Sequence, residues 1–133
     1  MTPRAKKEIG RRAARRQALF LLYQWDLTGT PLTSLFEGAA DPFAVGLAEE
    51  VAARAEELDR RIDEALVEGW TADRLGTLER NVLRIGIHEL EKGDVPAAAA
   101  INEAVELAKR YATNEAGKLV NGVLGRIQRE LGR

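Results

Sequence analysis

From Leu78 to Leu131 the apolar residues return every third or fourth position, and nowhere in the chain do apolar and polar residues alternate with period two. A half-buried strand needs that alternation, so the chain is expected to be all-α, with about seven helices. The breakers divide it. Thr2-Pro3 starts the first helix, whose stripe is Ala14, Ala18, Leu21, Leu22 and Trp25, and Gly29-Thr30-Pro31 ends it. Residues Leu32 to Gly38 allow one short turn with Leu35 and Phe36 inward. Asp41-Pro42 caps a helix carrying Phe43, Val45, Leu47, Val51 and Ala55, and Leu58, Ile62, Ala65 and Leu66 prolong its stripe. The pattern leaves open whether one helix or two fill that span.

After Gly69-Trp70, Thr71 is expected to cap a brief turn through Leu75. A helix from Thr77 to Lys92 buries Leu78, Val82, Ile85 and Leu90 and closes at Gly93-Asp94. Val95-Pro96 opens the next, with Ile101, Ala104, Val105, Ala108 and Tyr111. Thr113 or Asn114 caps the last, with Val120, Val123, Leu124, Ile127 and Leu131. The mixed charges between Glu49 and Glu64 read as a wet helix face supported by pairs such as Glu57 and Arg61.

A chain of 133 residues is most simply one domain, 1–133, able to bury about two thirds of its unfolded surface. It has no Cys and one His, which excludes disulfides, thiol catalysis and multi-histidine metal sites. No cofactor is expected. Glu89, Glu91, Glu103 and Glu106 are scattered along helices, and the sole Ser, Ser34, has no His beside it, so the chain is not expected to be an enzyme. No apolar run approaches the roughly 20 residues of a membrane span, and Gln24-Trp25-Asp26 is a poor signal-peptide cleavage site. The expected setting is cytoplasmic.

The net charge of −1 conceals a polarised molecule: residues 1–16 hold seven bases and one acid, a net +6, and the remainder carries −7. This basic arm, with Lys6, Lys7, Arg11, Arg12, Arg15 and Arg16, runs directly into the apolar stretch ending at Tyr23. Arg11 with Arg15 and Arg12 with Arg16 stand at i,i+4, where like charges cost about 0.2–0.5 kcal/mol per pair. A polyanion relieves that repulsion, and Gln17 and Tyr23 offer a base-edge contact and a ring. From charge alone, nucleic acid is the leading partner, ahead of a solvated tail and a membrane-surface arm.

Three further features have ordinary readings. Arg84, in the most apolar helix, is expected to pair with an internal carboxylate or helix carbonyls, with partner contact the alternative. His88 reads as a helix-surface residue rather than a proton shuttle. Gly117, Gly122 and Gly125 each cost a helix about 1 kcal/mol relative to Ala, and close helix packing is the usual compensation.

Arg11-Arg12-Ala13-Ala14-Arg15 with Ala18 and Leu22-Tyr23, Leu78 to Ile85 with Glu89-Leu90, Val95-Pro96, Ala100 to Lys109 and Lys118 to Leu124 together resemble the NusB family of bacterial transcription antitermination factors, over essentially the whole chain. The resemblance implies two packed helical bundles and no enzymatic activity. It also implies binding of single-stranded boxA leader RNA together with the ribosomal protein NusE, within an assembly of other Nus factors and RNA polymerase on ribosomal RNA operons; some members form homodimers that hide the RNA surface. By position, the family's arginine-rich RNA motif falls on Arg11, Arg12 and Arg15, with Tyr23 near its end, and a second RNA patch on Glu115, Lys118 and Leu119. The NusE surface falls on Glu79 and Arg80, expected as a separate face, where an acidic residue suits a basic partner. Leu119 replaces the usual Phe, Ala116 a common Ser, and His88 a frequent Tyr, while the segment between Leu27 and Asp41 is short enough to reduce helix 2.

Two other readings stand beside this one. A structural homodimerisation module would carry the basic arm incidentally. NusB-like domains also precede ribosomal RNA methyltransferases, but this chain holds no Rossmann-type glycine motif and no catalytic Cys.

Overall fold

The computed structural model describes residues 3–36, 41–67 and 69–133, with side chains from Gly10 onward. Every regular element among them is helical: α1 Pro3–Thr28, α2 Leu32–Leu35, α3 Pro42–Ala53, α4 Ala55–Ala65, a 3-10 turn Ala72–Arg74, α5 Thr77–Lys92, α6 Ala97–Tyr111 and α7 Asn114–Leu131. The chain divides into two compact units, residues 1–53 and 54–133.

In the first unit α1 packs on α3 and α2. The α1 stripe is Ala14, Ala18, Leu19, Leu21 and Leu22, all buried, whereas the expected Trp25 is half-buried. Asp41 caps α3 as anticipated, its Oδ1 accepting from the backbone N–H of Phe43 at 2.8 Å and of Ala44 at 3.3 Å. That cap sets the phase of α3. Ala44, Leu47, Ala48 and Val51 turn inward, so Phe43, expected in the stripe, is 41% exposed. α2 is only four residues long, and Leu35 and Phe36 are half-buried rather than inward. Thr2 and the residues between Phe36 and Asp41 lie outside the described residues.

The question of one helix or two is decided at Arg54, whose backbone (φ −106, ψ 11) leaves the helical range and separates α3 from α4. In the second unit α5 packs against α4, α6 and α7, and α6 packs on α7. Ten consecutive residues of α5, Asn81 to Leu90, are buried. A helix buried all round is the centre of its bundle. Leu83, Ile85, Ile87, Leu124 and Ile127 are among its largest enclosed side chains, each stabilising by about 1.5–3 kcal/mol. Gly86 permits the approach of α7, because a Cβ there would meet Leu124 Cδ1 at 2.6 Å.

Polar residues inside this bundle are paired. Arg84 holds Asp59 of α4 through two 2.7 Å bonds, and its third donor reaches Asn81 Oδ1 at 3.0 Å. This is the internal carboxylate expected for Arg84. His88, in contrast, is buried rather than on the surface: its Nδ1 lies 2.8 Å from Arg54 Nη1. Arg54 can only donate, so in this contact Nδ1 is the acceptor. Arg54 also binds Glu57 with two bonds of 3.0 and 3.1 Å and Glu91 at 2.8 Å. Hydrogen bonding to Glu57 is the largest influence holding its guanidinium above its ordinary pKa, against partial burial, with Glu91 adding to it. Glu57 therefore pairs with Arg54 rather than Arg61, which instead meets Glu64 and Glu130.

Among the described residues no helix is long and apolar enough to cross a membrane.

Candidate nucleic-acid interface

Helical phase sorts the arginines of α1. Arg15 falls on the side of Ala14, Ala18, Leu19 and Leu22 and is buried to 5% exposure, Arg12 is exposed, and Arg11 and Arg16 are half-buried. The four therefore do not form one uniform cationic face, because the helix needs that flank for packing. Arg11 lies over the Phe43 ring, 5.4 Å from its centroid. Gln17, considered for a base-edge contact, accepts at Oε1 from the backbone N–H of Asp41 at 2.9 Å and so fastens the start of α3. Beside it, Ala13, Ala14, Arg16, Gln17, Phe20 and Asp41 line a cavity of about 440 Å³. Tyr23 is half-buried. The side chains of Lys6 and Lys7 lie outside the described residues.

Two aromatic rings on this surface went unread in the sequence as surface groups: Phe20, 42% exposed, and Phe43. The signal was available for Phe43. Once Asp41 is the cap, Ala44, Leu47, Ala48 and Val51 make a complete inward stripe that leaves Phe43 on its margin.

The second candidate surface is built at the start of α7. Thr113 Oγ1 accepts from the Ala116 N–H at 3.0 Å, which settles the cap in favour of Thr113. With the helix phased from there, Glu115, Lys118, Leu119 and Gly122 follow at i, i+3, i+4 and i+7 and share one flank. That flank forms one wall of a groove of about 570 Å³, whose other walls come from the end of α4, the segment through the 3-10 turn, and the start of α5. The 3-10 turn is held by Asp63, not by Thr71 as expected: Asp63 Oδ1 accepts from the Ala72 N–H at 2.6 Å, while the Thr71 hydroxyl is turned to Asp73.

Glu115, Lys118 and Leu119, grouped by the family resemblance, therefore stand together. Glu79 lines the same groove, so the residue expected to meet the protein partner and those expected to meet RNA in this unit are not on separate faces. Arg80 bends back, Nη1 lying 3.4 Å from Ala72 O and 3.5 Å from Leu75 O. Trp70, 52% exposed, and Val67, 71% exposed, also line the groove. Sequence reading treated Trp70 only as a helix breaker's neighbour. Its exposure depends on how the chain packs around it in three dimensions, which no periodicity encodes.

The glycines of α7 divide in the same way. A Cβ at Gly117 would sit 2.7 Å from Lys109 Cγ of α6, so close packing accounts for it, whereas a Cβ at Gly122 would meet nothing within 4 Å. Gly122 opens on the groove.

These surfaces offer cations, carboxylates and aromatic faces suited to recognition. Among the described residues no group of three or more His, Cys, Asp or Glu could hold a metal ion.

The NusB family model matches residues 12–129. Transcription antitermination protein NusB of Salinispora tropica is 41% identical over 128 residues, covering 88% of this chain and 93% of that protein. The crystal structure of antitermination factors NusB and NusE in complex with dsRNA superposes with a TM-score of 0.79 at 35% identity, over 90% of this chain and 96% of the other. The solution structure of NusB from Aquifex aeolicus gives a TM-score of 0.75 at 36% identity, over 90% and 87% of the two chains.

Proposed function

Because the chain belongs to the NusB family, we propose that it is a cytoplasmic, non-catalytic transcription antitermination factor that binds boxA-type single-stranded leader RNA together with NusE and supports transcription of ribosomal RNA operons. The observation that carries this reading is the reach of the family match, which takes in both the arginines of α1 from Arg12 onward and the Glu115–Leu119 turn of α7. Other Nus factors and RNA polymerase complete the assembly in which the pair acts.

The physical role of each residue follows from its exposure. Arg11, Arg12 and Arg16, extended in sequence by Lys6 and Lys7, neutralise phosphates, with Phe20, Phe43 and Tyr23 as apolar contacts beside them. Arg15 is assigned to the packing of α1. Lys118 adds a cation from the second unit, and Glu79 offers a carboxylate to a basic protein partner.

Fluorescence anisotropy with labelled boxA-type RNA at two salt concentrations, with and without NusE, tests the proposal. Neutralising about four phosphates of a single strand gives a slope of log K against log salt near −3. Absence of binding even with NusE, or binding indifferent to salt, overturns it. Glu79→Lys is expected to weaken NusE binding while sparing RNA affinity measured without NusE.

A further inference from the structure

Resting on the RNA-binding reading above, we propose that Trp70 is a stacking platform for one unpaired nucleobase of the bound strand, and that the groove beside it seats that nucleotide. Trp70 exposes half its surface next to Val67, which is more exposed still. An indole left open in this way forfeits the burial that normally fixes a Trp. The groove it lines is mostly aliphatic and reaches across to Leu119 and Gly122 of α7. Gly122 keeps that wall low. A mid-helix glycine is unfavourable, and among the described residues a Cβ at Gly122 would meet nothing within 4 Å, so close helix packing does not account for it.

The charges in the groove identify the occupant. Lys118 and Arg74 line it as cations, and Glu79 and Glu115 as carboxylates. Arg74 donates to the Gly69 carbonyl at 3.3 Å, which uses one of its five donors. A nucleotide matches the Trp70 side of the groove: its ring stacks on the indole, its phosphate meets the cations, and the amino or imino groups of its base edge donate to Glu115. An apolar helix seated here would cover four charged side chains without compensation. In this chain Trp70 places a ring in the groove that Leu119 lines.

The test uses the full chain with labelled single-stranded boxA-type RNA, with and without NusE. Trp70→Ala is expected to weaken RNA binding by about 5- to 100-fold, and Trp70→Phe by much less, because a ring remains. Gly122→Leu should fill the groove and weaken RNA binding as well, although it improves helix propensity, which separates obstruction from unfolding. RNA should quench tryptophan emission in the wild type, which has only Trp25 and Trp70, and the quench should be largely absent in Trp70→Phe. If Trp70→Ala and Gly122→Leu bind RNA as the wild type does and Trp70 emission is unchanged, the platform is refuted while the RNA-binding reading stands. If both variants keep RNA affinity but lose NusE, the groove is a protein-docking surface and the proposal is overturned. If the wild type fails to bind RNA even with NusE, the underlying reading falls and takes the platform with it.

Discussion

In the 54–133 unit Arg84 is held by Asp59 of α4 and Arg54 by Glu91 of α5, whereas in the 1–53 unit Arg12 is exposed on α1 and Arg11 faces the ring of Phe43. The side chain is the same and the surroundings are opposite. A guanidinium whose fork is filled by a carboxylate from another helix is a structural tie, and its cation is already compensated. In the first sixteen residues seven bases outnumber a single acid, and that surplus gives this end a positive field that attracts an external anion. Arg15 shows that position in the sequence cluster does not decide membership: it belongs to the basic run yet lies in the buried stripe.

The largest break in this comparison should come from Arg84→Met. It removes the cation held by Asp59 and one of the bonds of the buried Asn81, and we expect a loss of about 3 kcal/mol in urea unfolding, with the RNA salt slope unchanged. A smaller break separates two neighbours on α1. Arg15→Ala should cost stability by about 1–3 kcal/mol, as expected for a buried polar group, while Arg12→Ala should leave the unfolding midpoint in place and reduce the RNA salt slope by about 0.7. Equal effects of the two changes on stability would erase the distinction drawn between them.

The smallest effect is expected at Glu57. Hydrogen bonding to Arg54 holds its carboxyl below the ordinary value of 4.5, with the charge of Arg54 second. A depressed folded-state pKa contributes stability above the unfolded value and loses it as pH falls through the folded one. Glu57→Gln should therefore slightly lower stability at neutral pH and flatten the acid limb of a stability profile below about pH 4.5. Because Glu57 is on the surface, the difference should shrink in high salt. An unchanged acid limb would show that Arg54 is held by Glu91 and His88 without it.

The helices that were legible are written twice, once in periodicity and once in their ends, whereas the break between α3 and α4 at Arg54 carries no such end signal. Asp41-Pro42 capped α3, Thr77 to Lys92 formed α5 residue for residue, and Gly93 closed it with φ 74. Failures came where a residue's surroundings are supplied from elsewhere in the chain. His88 looked like a surface residue because its partner Arg54 is 34 positions away, and Thr71 lost its capping role to Asp63. The second surface was legible only in part. The family resemblance singled out Glu115, Lys118 and Leu119, which α7 carries on one flank, but nothing local brought Glu79 and Trp70 to the same groove.

The sequence by itself determined the helical class, the position of most helix ends, the charge imbalance of the first sixteen residues and the family resemblance, because all of these are properties of neighbouring residues and of pattern. Tertiary structure decided which arginines are ties and which remain on the surface, and which residues share the groove of the second unit. Those outcomes depend on atoms brought within about 3 Å by the packing of different helices, and hydrogen bonds and ion pairs act only at such distances.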